Sequence, residues 1–205
     1  AAPRAVPGGP LRVLLHVETL DKGGLEQMVR ALAEGLRAAG VTVAVACAQR
    51  GGDTADRLSA QGVPVHILNG DGAAYARLLD AFGPHVVNTH YGHSHLALIQ
   101  QRGIPIVETI HNMYVFYDAA QWAAEREKRA YVNGYIAVSE MVKAYFLRHM
   151  PTLAPEDVTV IANAATAKHF ERLPREEARR RIGVGPAAFL FLNLASFDGR
   201  KNQIG

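Results

Sequence analysis

The sequence lacks the features that mark several protein classes. Cys47 is its one cysteine, so no disulfide can form within the chain, and its apolar neighbours indicate a small buried side chain. No apolar run approaches the roughly 20 residues of a transmembrane helix. Neither a G-x-G-x-x-G pattern after the first apolar run nor a P-loop is present, which argues against a dehydrogenase and a kinase.

The chain also carries little net charge. The formal net charge of +3 is too small to indicate a nucleic-acid partner. Basic residues concentrate at 172–181, where acidic residues interleave them. We interpret this stretch as a solvated helix face, with contact to an anionic membrane surface as the alternative. Residues 1–10 are rich in Pro, Gly and Ala, lack the apolar core of a signal peptide, and predict a disordered tail.

What the sequence does contain is an alternation of apolar runs with segments of helical periodicity. With 49% hydrophobic and 20% charged residues, the composition is that of a globular protein. Alternating β and α units predict an α/β fold with a doubly wound parallel sheet. The predicted strands are 11–17, 41–48, 63–68, 85–90, 104–110, 135–139 and 158–161. The predicted helices are 25–39, 54–60, 73–82, 94–102, 119–130 and 140–149, and Gly40, Gly62, Gly83 and Gly103 end four of them.

The turn after the first predicted strand contains Gly23 and Gly24 and opens an amphipathic helix. The first N–H groups of a helix have no intrahelical partner, and the helix dipole adds partial positive charge there. Glycine also allows a ligand to approach the backbone closely. The sequence therefore indicates a site for a phosphate or a sugar hydroxyl. The alternative is an ordinary βα turn that uses glycine for its backbone angles.

Polar residues follow several other predicted strands. Because ligands of doubly wound sheets bind at the carboxyl ends of the strands, we expect one site along this edge. The residues placed there are Glu18, Thr19, Gly23, Gly24, His90, Tyr91, His111, Asn112 and Ser139.

The pattern changes near residue 162. Residues 162–173 have little periodicity, a short helix with alternating charges follows at 174–182, and 189–194 predict a further apolar strand. A strand with nothing after it cannot bury both faces, so we expect a second α/β domain to begin near Ala187. Alone, this strand is an aggregation or swapping hazard, so we expect that it packs against a second copy in a homodimer or that the second domain covers it in the intact protein.

Six segments in order resemble motifs of family 4 glycosyltransferases, which have the two-domain GT-B fold. They are 14–17 with 23–26, then 85–90, 104–111, 135–139, 160–170 and 191–202. The resemblance implies a tail at 1–10 and the Rossmann-like N-terminal, acceptor-side half of a GT-B fold at 11–165. It further implies a linker with a short helix at 166–186 and the start of the nucleotide-sugar donor domain at 187–205.

Two segments depart from the family pattern. Ala164 and Ala165 follow Asn163 where the family usually has glycine and soon afterwards an acid. Ala195 and Ser196 stand where the donor loop usually has Gly-Arg. The family lysine of that loop matches Lys201, and Arg200 beside it would supply the missing positive charge.

The resemblance also implies roles for individual residues. His111 is the implied catalytic residue, which would hydrogen-bond the donor sugar and shape the transition state without acting as a nucleophile. The implied contacts to the donor phosphate or sugar are Gly23, Gly24, Asn163, Arg200 and Lys201. The implied contacts to the acceptor are Glu26, His90, Tyr114, Tyr117 and Ser139. For Glu26 a helix-capping role is the alternative, and for the aromatic residues after His111, cover of the sheet edge.

A metal site is a further reading of the sequence. His90, His93 and His95 have the spacing H-x-x-H-x-H, which invites a zinc site, but neighbouring Asp or Cys partners are not evident. The resemblance implies neither a metal nor another cofactor, because the nucleotide sugar is a substrate.

The activity implied by the resemblance is that of a retaining glycosyltransferase. Such an enzyme transfers a sugar from a UDP- or GDP-linked donor to a glycan, lipid or other acceptor hydroxyl. The expected setting is cytoplasmic, with peripheral contact to the inner membrane surface, in polysaccharide or lipopolysaccharide biosynthesis. The 205-residue chain alone is expected to be inactive because the donor half-site is absent. The alternatives are another GT-B protein such as a nucleotide-sugar epimerase, and a non-catalytic α/β ligand-binding module.

Overall fold

The computed structural model describes residues 9–164 and 172–195. The chain divides into two compact units, Ala1–Asn163 and Ala164–Gly205. The first unit contains a seven-stranded sheet flanked by helices. Its strands are β1 (Arg12–Thr19), β2 (Thr42–Arg50), β3 (Val65–Ile67), β4 (Val86–His90), β5 (Ile106–Ile110), β6 (Gly134–Ala137) and β7 (Val158–Val160). Its α-helices are α1 (Gly24–Ala38), α2 (Asp53–Ala60), α3 (Gly72–Phe82), α4 (Leu96–Gln101), α5 (Ala119–Lys128) and α6 (Glu140–His149).

The seven strands of the sheet are parallel, in the order β3-β2-β1-β4-β5-β6-β7. This is the doubly wound arrangement that the sequence predicts. The order reverses between β1 and β4, so the loops after these two strands leave in opposite directions and open a crevice at the carboxyl edge.

Two apolar cores cover the two faces of the sheet. On one face Leu15 and Val17 of β1 pack with Val29 and Ala33 of α1, and α2 adds Leu58. On the other face Leu14 packs in a larger core with side chains from the helices α3 to α6. Because successive side chains of a strand point to opposite faces, this division assigns every residue of a strand to the α1 side or to the α3–α6 side.

The helix ends follow the local chemistry that the sequence indicates. Gly40, Gly62, Gly83 and Gly103 all have positive φ, as expected for residues that end helices. The helices α3, α5 and α6 begin at side-chain caps, from Asp71, Asp118 and Ser139. Among the described residues, no helix is long and apolar enough to cross a membrane.

The second unit contains the short helix α7 (Arg175–Arg181). Arg179 of this helix donates hydrogen bonds to the carbonyls of Gly185 and Ala188, in the segment that follows the helix. The prediction of a strand at 189–194 is wrong for this chain, since these residues have no regular secondary structure and Phe191 is 88% exposed. A strand requires a hydrogen-bonded neighbour, and among the described residues this segment has none. The predicted domain boundaries stay a prediction.

Candidate functional site

The β1–α1 turn lies at the carboxyl edge of the sheet. Helix α1 begins at Gly24 without a side-chain cap, and Gly24 is exposed. The side chain of Glu26 folds back over the turn, so a Cβ on residue 23 would lie 2.2 Å from its Oε2. Glycine at position 23 therefore allows Glu26 to approach the backbone, and the start of α1 presents free N–H donors.

The loop after β4 is held by the carboxylate of Glu18, at the end of β1. Its Oε1 accepts from the backbone N–H groups of His93 at 2.7 Å and Ser94 at 2.8 Å, and its Oε2 accepts from Oγ of Ser94 at 2.8 Å. Burial opposes the charged form, but the hydrogen bonds from Ser94 and His93 hold the pKa of Glu18 below its ordinary value. Glu18 thus joins the two loops that border the crevice.

The same bonds explain why α4 is shorter than predicted. The sequence predicts a helix from residue 94, whereas α4 begins at Leu96. Ser94 is committed to Glu18, and His95 has a left-handed backbone with φ of 61°. Both residues therefore belong to the loop.

Replacing Glu18 by glutamine is expected to lower the free energy of unfolding by about 1.5 kcal/mol, the lower end for hydrogen bonds to a charged group, because the carboxylate is only half-buried. The folded pKa of Glu18 lies below the unfolded value of 4.5, so its stabilisation is present above pH 4.5 and is lost as the pH falls through the folded pKa. Urea unfolding between pH 3 and 8 measures both the change in the free energy of unfolding and its dependence on pH. The exposed control Glu140→Gln should retain the loss of stability at acid pH that wild type shows. If Glu18→Gln loses as much stability at acid pH as wild type does, the assignment is contradicted.

His90 and His111 form a pair on the α1 side of the sheet. His90 lies beside Val17 and Thr109 in the register, which places its side chain on the α1 side, and His111 follows two residues after Thr109. Nδ1 of His90 and Nε2 of His111 are 3.0 Å apart. Burial lowers the pKa of His111 to about 4, and burial, followed by the neighbouring His111 and His16, lowers the pKa of His90 well below its ordinary value. Both imidazoles are therefore neutral at pH 7.

A buried histidine–tyrosine pair lies on the α3–α6 side. Nδ1 of His16 and the hydroxyl of Tyr75 are 3.0 Å apart, and both side chains are fully buried. Burial lowers the pKa of His16 to about 4. Sequence reasoning missed this pair, although a histidine inside the apolar run of β1 was a signal that it required a buried partner.

A buried ionic cluster lies on the same side. Nζ of Lys128 on α5 contacts carboxylate oxygens of Glu108 on β5 and of Glu125, and none of the three residues is more than 5% exposed. Burial raises the pKa of Glu108 to about 7 in spite of the lysine. The attraction of both carboxylates outweighs the burial of Lys128 and raises its pKa. No motif in the sequence predicts this cluster.

The chain matches a known protein family. A family model described as Glycosyltransferase Family 4 matches residues 22–167, well over half of the chain. The chain belongs to glycosyltransferase family 4. Among curated proteins, none matches the chain significantly.

Solved structures share the fold at low sequence identity. The Anabaena protein Alr3699/HepE, in complex with UDP, matches with a TM-score of 0.69 and 15% identity over 84% of this chain and 50% of its own. A glycosyltransferase from Rickettsia africae ESF-5 gives 0.70 and 16% over 86% and 51%. The UDP-N-acetylglucosamine 2-epimerase from Rickettsia bellii gives 0.55 and 13% over 85% and 48%. The family 4 chain thus spans about half the length of these proteins, and the predicted Rossmann-like half of a GT-B fold is confirmed.

Within this family 4 chain the structure brings some of the predicted site residues together. Gly23, Gly24 and Glu26 share the β1–α1 turn, and His90 and His111 touch each other on the same side of the sheet. Ser139 follows β6, where its hydroxyl accepts from the N–H of Val142 and caps α6. Asn163 is exposed. Arg200 and Lys201 lie outside the described residues.

The aromatic residues after His111 divide into buried and accessible ones. Tyr114 is 1% exposed and stacks on Tyr117 with ring centroids 4.7 Å apart, and the ring of Trp122 meets that of Tyr117 at 5.2 Å. Tyr117 is half-buried. Tyr114 and Trp122 therefore cover the sheet, whereas part of Tyr117 is accessible. The acceptor contacts of Tyr114 and Tyr117 stay predictions.

The three histidines of the H-x-x-H-x-H spacing have separate surroundings. His90 bonds to His111, His93 meets the ring of Tyr91 at 5.9 Å, and His95 meets the ring of Tyr75 at 5.4 Å. Across residues 9–164 and 172–195, no group of three or more His, Cys, Asp or Glu side chains is arranged to hold a metal ion.

Proposed function

We propose that the chain is the acceptor-side domain of a retaining glycosyltransferase, which transfers a sugar from a nucleotide-diphosphate sugar to an acceptor hydroxyl. The observation that supports this most is the pairing of two features on the α1 side of the carboxyl edge. These are the uncapped start of α1 at Gly24 and the neutral His111, held by His90. The first suits an anion and the second an uncharged polar group.

The chemistry follows from these two features. Departure of the nucleotide diphosphate builds negative charge, which the N–H donors at the start of α1 stabilise without reorganisation. Arg200 and Lys201 lie outside the described residues, and their contacts to the donor phosphates stay predictions. His111, neutral at pH 7, hydrogen-bonds the donor sugar. No metal ion and no resident cofactor takes part in this proposal, because the leaving group is stabilised by backbone donors and cationic side chains.

The acceptor lies, in this proposal, against the residues that border the crevice. Glu26 folds over the β1–α1 turn, and Tyr117 presents part of a ring on which a sugar or a lipid chain can pack. A glycan or a lipid-linked acceptor fits such surroundings. The proposed setting is the cytoplasm, with peripheral contact to the inner membrane surface, in polysaccharide or lipopolysaccharide biosynthesis.

Similar proteins support a nucleotide-sugar donor. HepE from Anabaena has been crystallised with UDP and with UDP and glucose. The donor proposed here is a UDP- or GDP-linked hexose.

A nucleotide-sugar epimerase is the second candidate. Two UDP-N-acetylglucosamine 2-epimerases share the fold, from Rickettsia bellii and from Neisseria meningitidis, with TM-scores of 0.55 and 0.52. The match of the Glycosyltransferase Family 4 model to residues 22–167 favours the transferase.

The experiment that tests the proposal is a donor screen on the full-length protein. UDP- and GDP-sugars are incubated with and without a pool of glycan and lipid acceptors, and products are followed by mass spectrometry and NMR. Transfer with retention of the anomeric configuration supports the proposal. Inversion at a ring carbon of the free nucleotide sugar supports an epimerase, and binding without turnover supports a ligand-binding module. The 205-residue chain serves as the control that should transfer no sugar.

A further inference from the structure

The His90–His111 pair has two outer nitrogens with different surroundings. Nε2 of His90 is fully buried and has no hydrogen-bond partner among the described residues. His90 itself is 1% exposed, whereas His111 is half-buried, directly after β5 at the carboxyl edge of the sheet. The outer nitrogen of His111, Nδ1, has no hydrogen bond to the described part of the chain. Since both imidazoles are neutral at pH 7, a single proton lies between the two rings.

That proton has two possible owners. If Nε2 of His111 donates it, His90 is the acceptor at Nδ1 and must carry its own proton on the buried Nε2, where no acceptor meets it. If Nδ1 of His90 donates, the buried Nε2 of His90 is unprotonated and carries only a lone pair. An unpartnered buried N–H group is rarer and costs more than an unpartnered acceptor, so the second arrangement is favoured.

We propose that His90 is a positioning residue for His111: it donates from Nδ1 to Nε2 of His111 and thereby fixes His111 with its proton on Nδ1, where it can be donated to a substrate. This inference rests on the proposed function for the role of His111. It assigns His111 the part of a hydrogen-bond donor. The matching group on the substrate is an oxygen acceptor, which a hydroxyl of the donor sugar or a phosphate oxygen supplies.

The strands that hold the pair are fixed to each other on the same side of the sheet. Nδ2 of Asn88 donates to the carbonyl of Val107 and to Oγ1 of Thr109, each at 3.0 Å. These bonds join β4 to β5 close to the pair, since Asn88 lies two residues before His90 and Thr109 two residues before His111. The imidazole of His90 is therefore held on rigid elements, as a group that orients another must be.

The first test reads the tautomer directly and needs no activity. The 205-residue chain is labelled with ¹⁵N-histidine, and long-range ¹H–¹⁵N correlation spectra at pH 7 distinguish protonated from unprotonated ring nitrogens. His111 is assigned by its loss in His111→Gln. We expect Nδ1 of His111 to be protonated and Nε2 to be unprotonated. The opposite pattern, with the proton on Nε2 of His111, would overturn the proposal.

The second test separates positioning from general stability in the full-length protein. His90→Leu removes the donor and is expected to lower kcat about tenfold, as the loss of one orienting hydrogen bond, with KM unchanged. In His90→Asn the amide stands near the position of Nδ1 and can still donate, so kcat should stay within about threefold of wild type. His66→Asn on the edge strand β3 is the control for histidine replacement.

Three outcomes of these kinetics overturn the proposal. They are an unchanged kcat in His90→Leu, an equal loss in His90→Asn and His90→Leu, and a loss confined to KM. If the wild-type protein transfers no sugar, the proposed function fails while the tautomer test still decides whether His90 positions His111.

Discussion

Replacing Lys128 by methionine is expected to lower the free energy of unfolding by about 3–5 kcal/mol, the cost of breaking a buried ion pair from one side. Lys128 is 4% exposed at its side chain and meets Glu108 and Glu125, whose side chains are each 1% exposed. Methionine fills the space of the lysine stem but leaves both carboxylates without a cation in a buried place. One of the Glu108 oxygens already has no hydrogen-bond partner among the described residues, so part of this carboxylate depends on the lysine charge alone.

The loss should depend on pH. With the lysine in place, burial already raises the pKa of Glu108 from 4.5 to about 7. Without it, the folded pKa of Glu108 rises further above about 7, so the penalty grows with pH up to that raised pKa and shrinks as the pH falls towards 4.5. The deficit of Lys128→Met relative to wild type should therefore be smaller at pH 5 than at pH 8.

Urea unfolding of wild type and variants at these two pH values measures the effect. Lys143→Met on α6 is the matched control, since this half-buried lysine has no ion pair among the described residues. Adding Glu108→Gln to Lys128→Met should recover part of the loss, because it removes one of the two unpaired charges. A loss under 1 kcal/mol at both pH values would show that the cluster is open to water.

The layout of the fold could be predicted from the sequence because it depends on local chemistry. Apolar runs such as that of β2 are near-continuous, as strands covered on both faces require, and residues such as Gly83 end the helices between them. The strand predicted at 189–194 is the exception. Its apolar run suits a strand, but a strand forms only beside another, and no described residues pair with it.

The candidate site was predicted in part, and for a physical reason. Position at the end of a strand is readable from sequence, so Gly23, Gly24 and His111 were placed at the carboxyl edge. Contacts between distant residues are not readable. Glu18 and Ser94 are 76 residues apart, and nothing in either segment identifies the other. A buried charge inside an apolar strand, as at Glu108, signals that a partner exists, but its spacing does not identify Lys128.

His111→Ala in the full-length protein is expected to lower kcat about a hundredfold, or about 2.7 kcal/mol, the effect of removing one preorganised hydrogen-bonding group from a developing transition state. The fold should be intact, because His111 follows the last residue of β5 and its described hydrogen bond is the one to His90. The expected loss appears in kcat and in kcat/KM together, since the bond to the donor sugar strengthens as the diphosphate departs.

Initial rates over a range of donor concentrations, together with a urea unfolding curve for each protein, measure both effects. His111→Asn retains an amide donor near the position of Nδ1 and should lose less than the alanine variant. His149→Ala on α6, where the imidazole stacks on Trp122 with centroids 4.2 Å apart, is the control for loss of a histidine outside the proposed site. If His111→Ala has the wild-type kcat, His111 only ends its strand. A neutral His111 also predicts that kcat does not follow the protonation of this residue between pH 6 and 8, because burial holds its pKa at about 4, below that range.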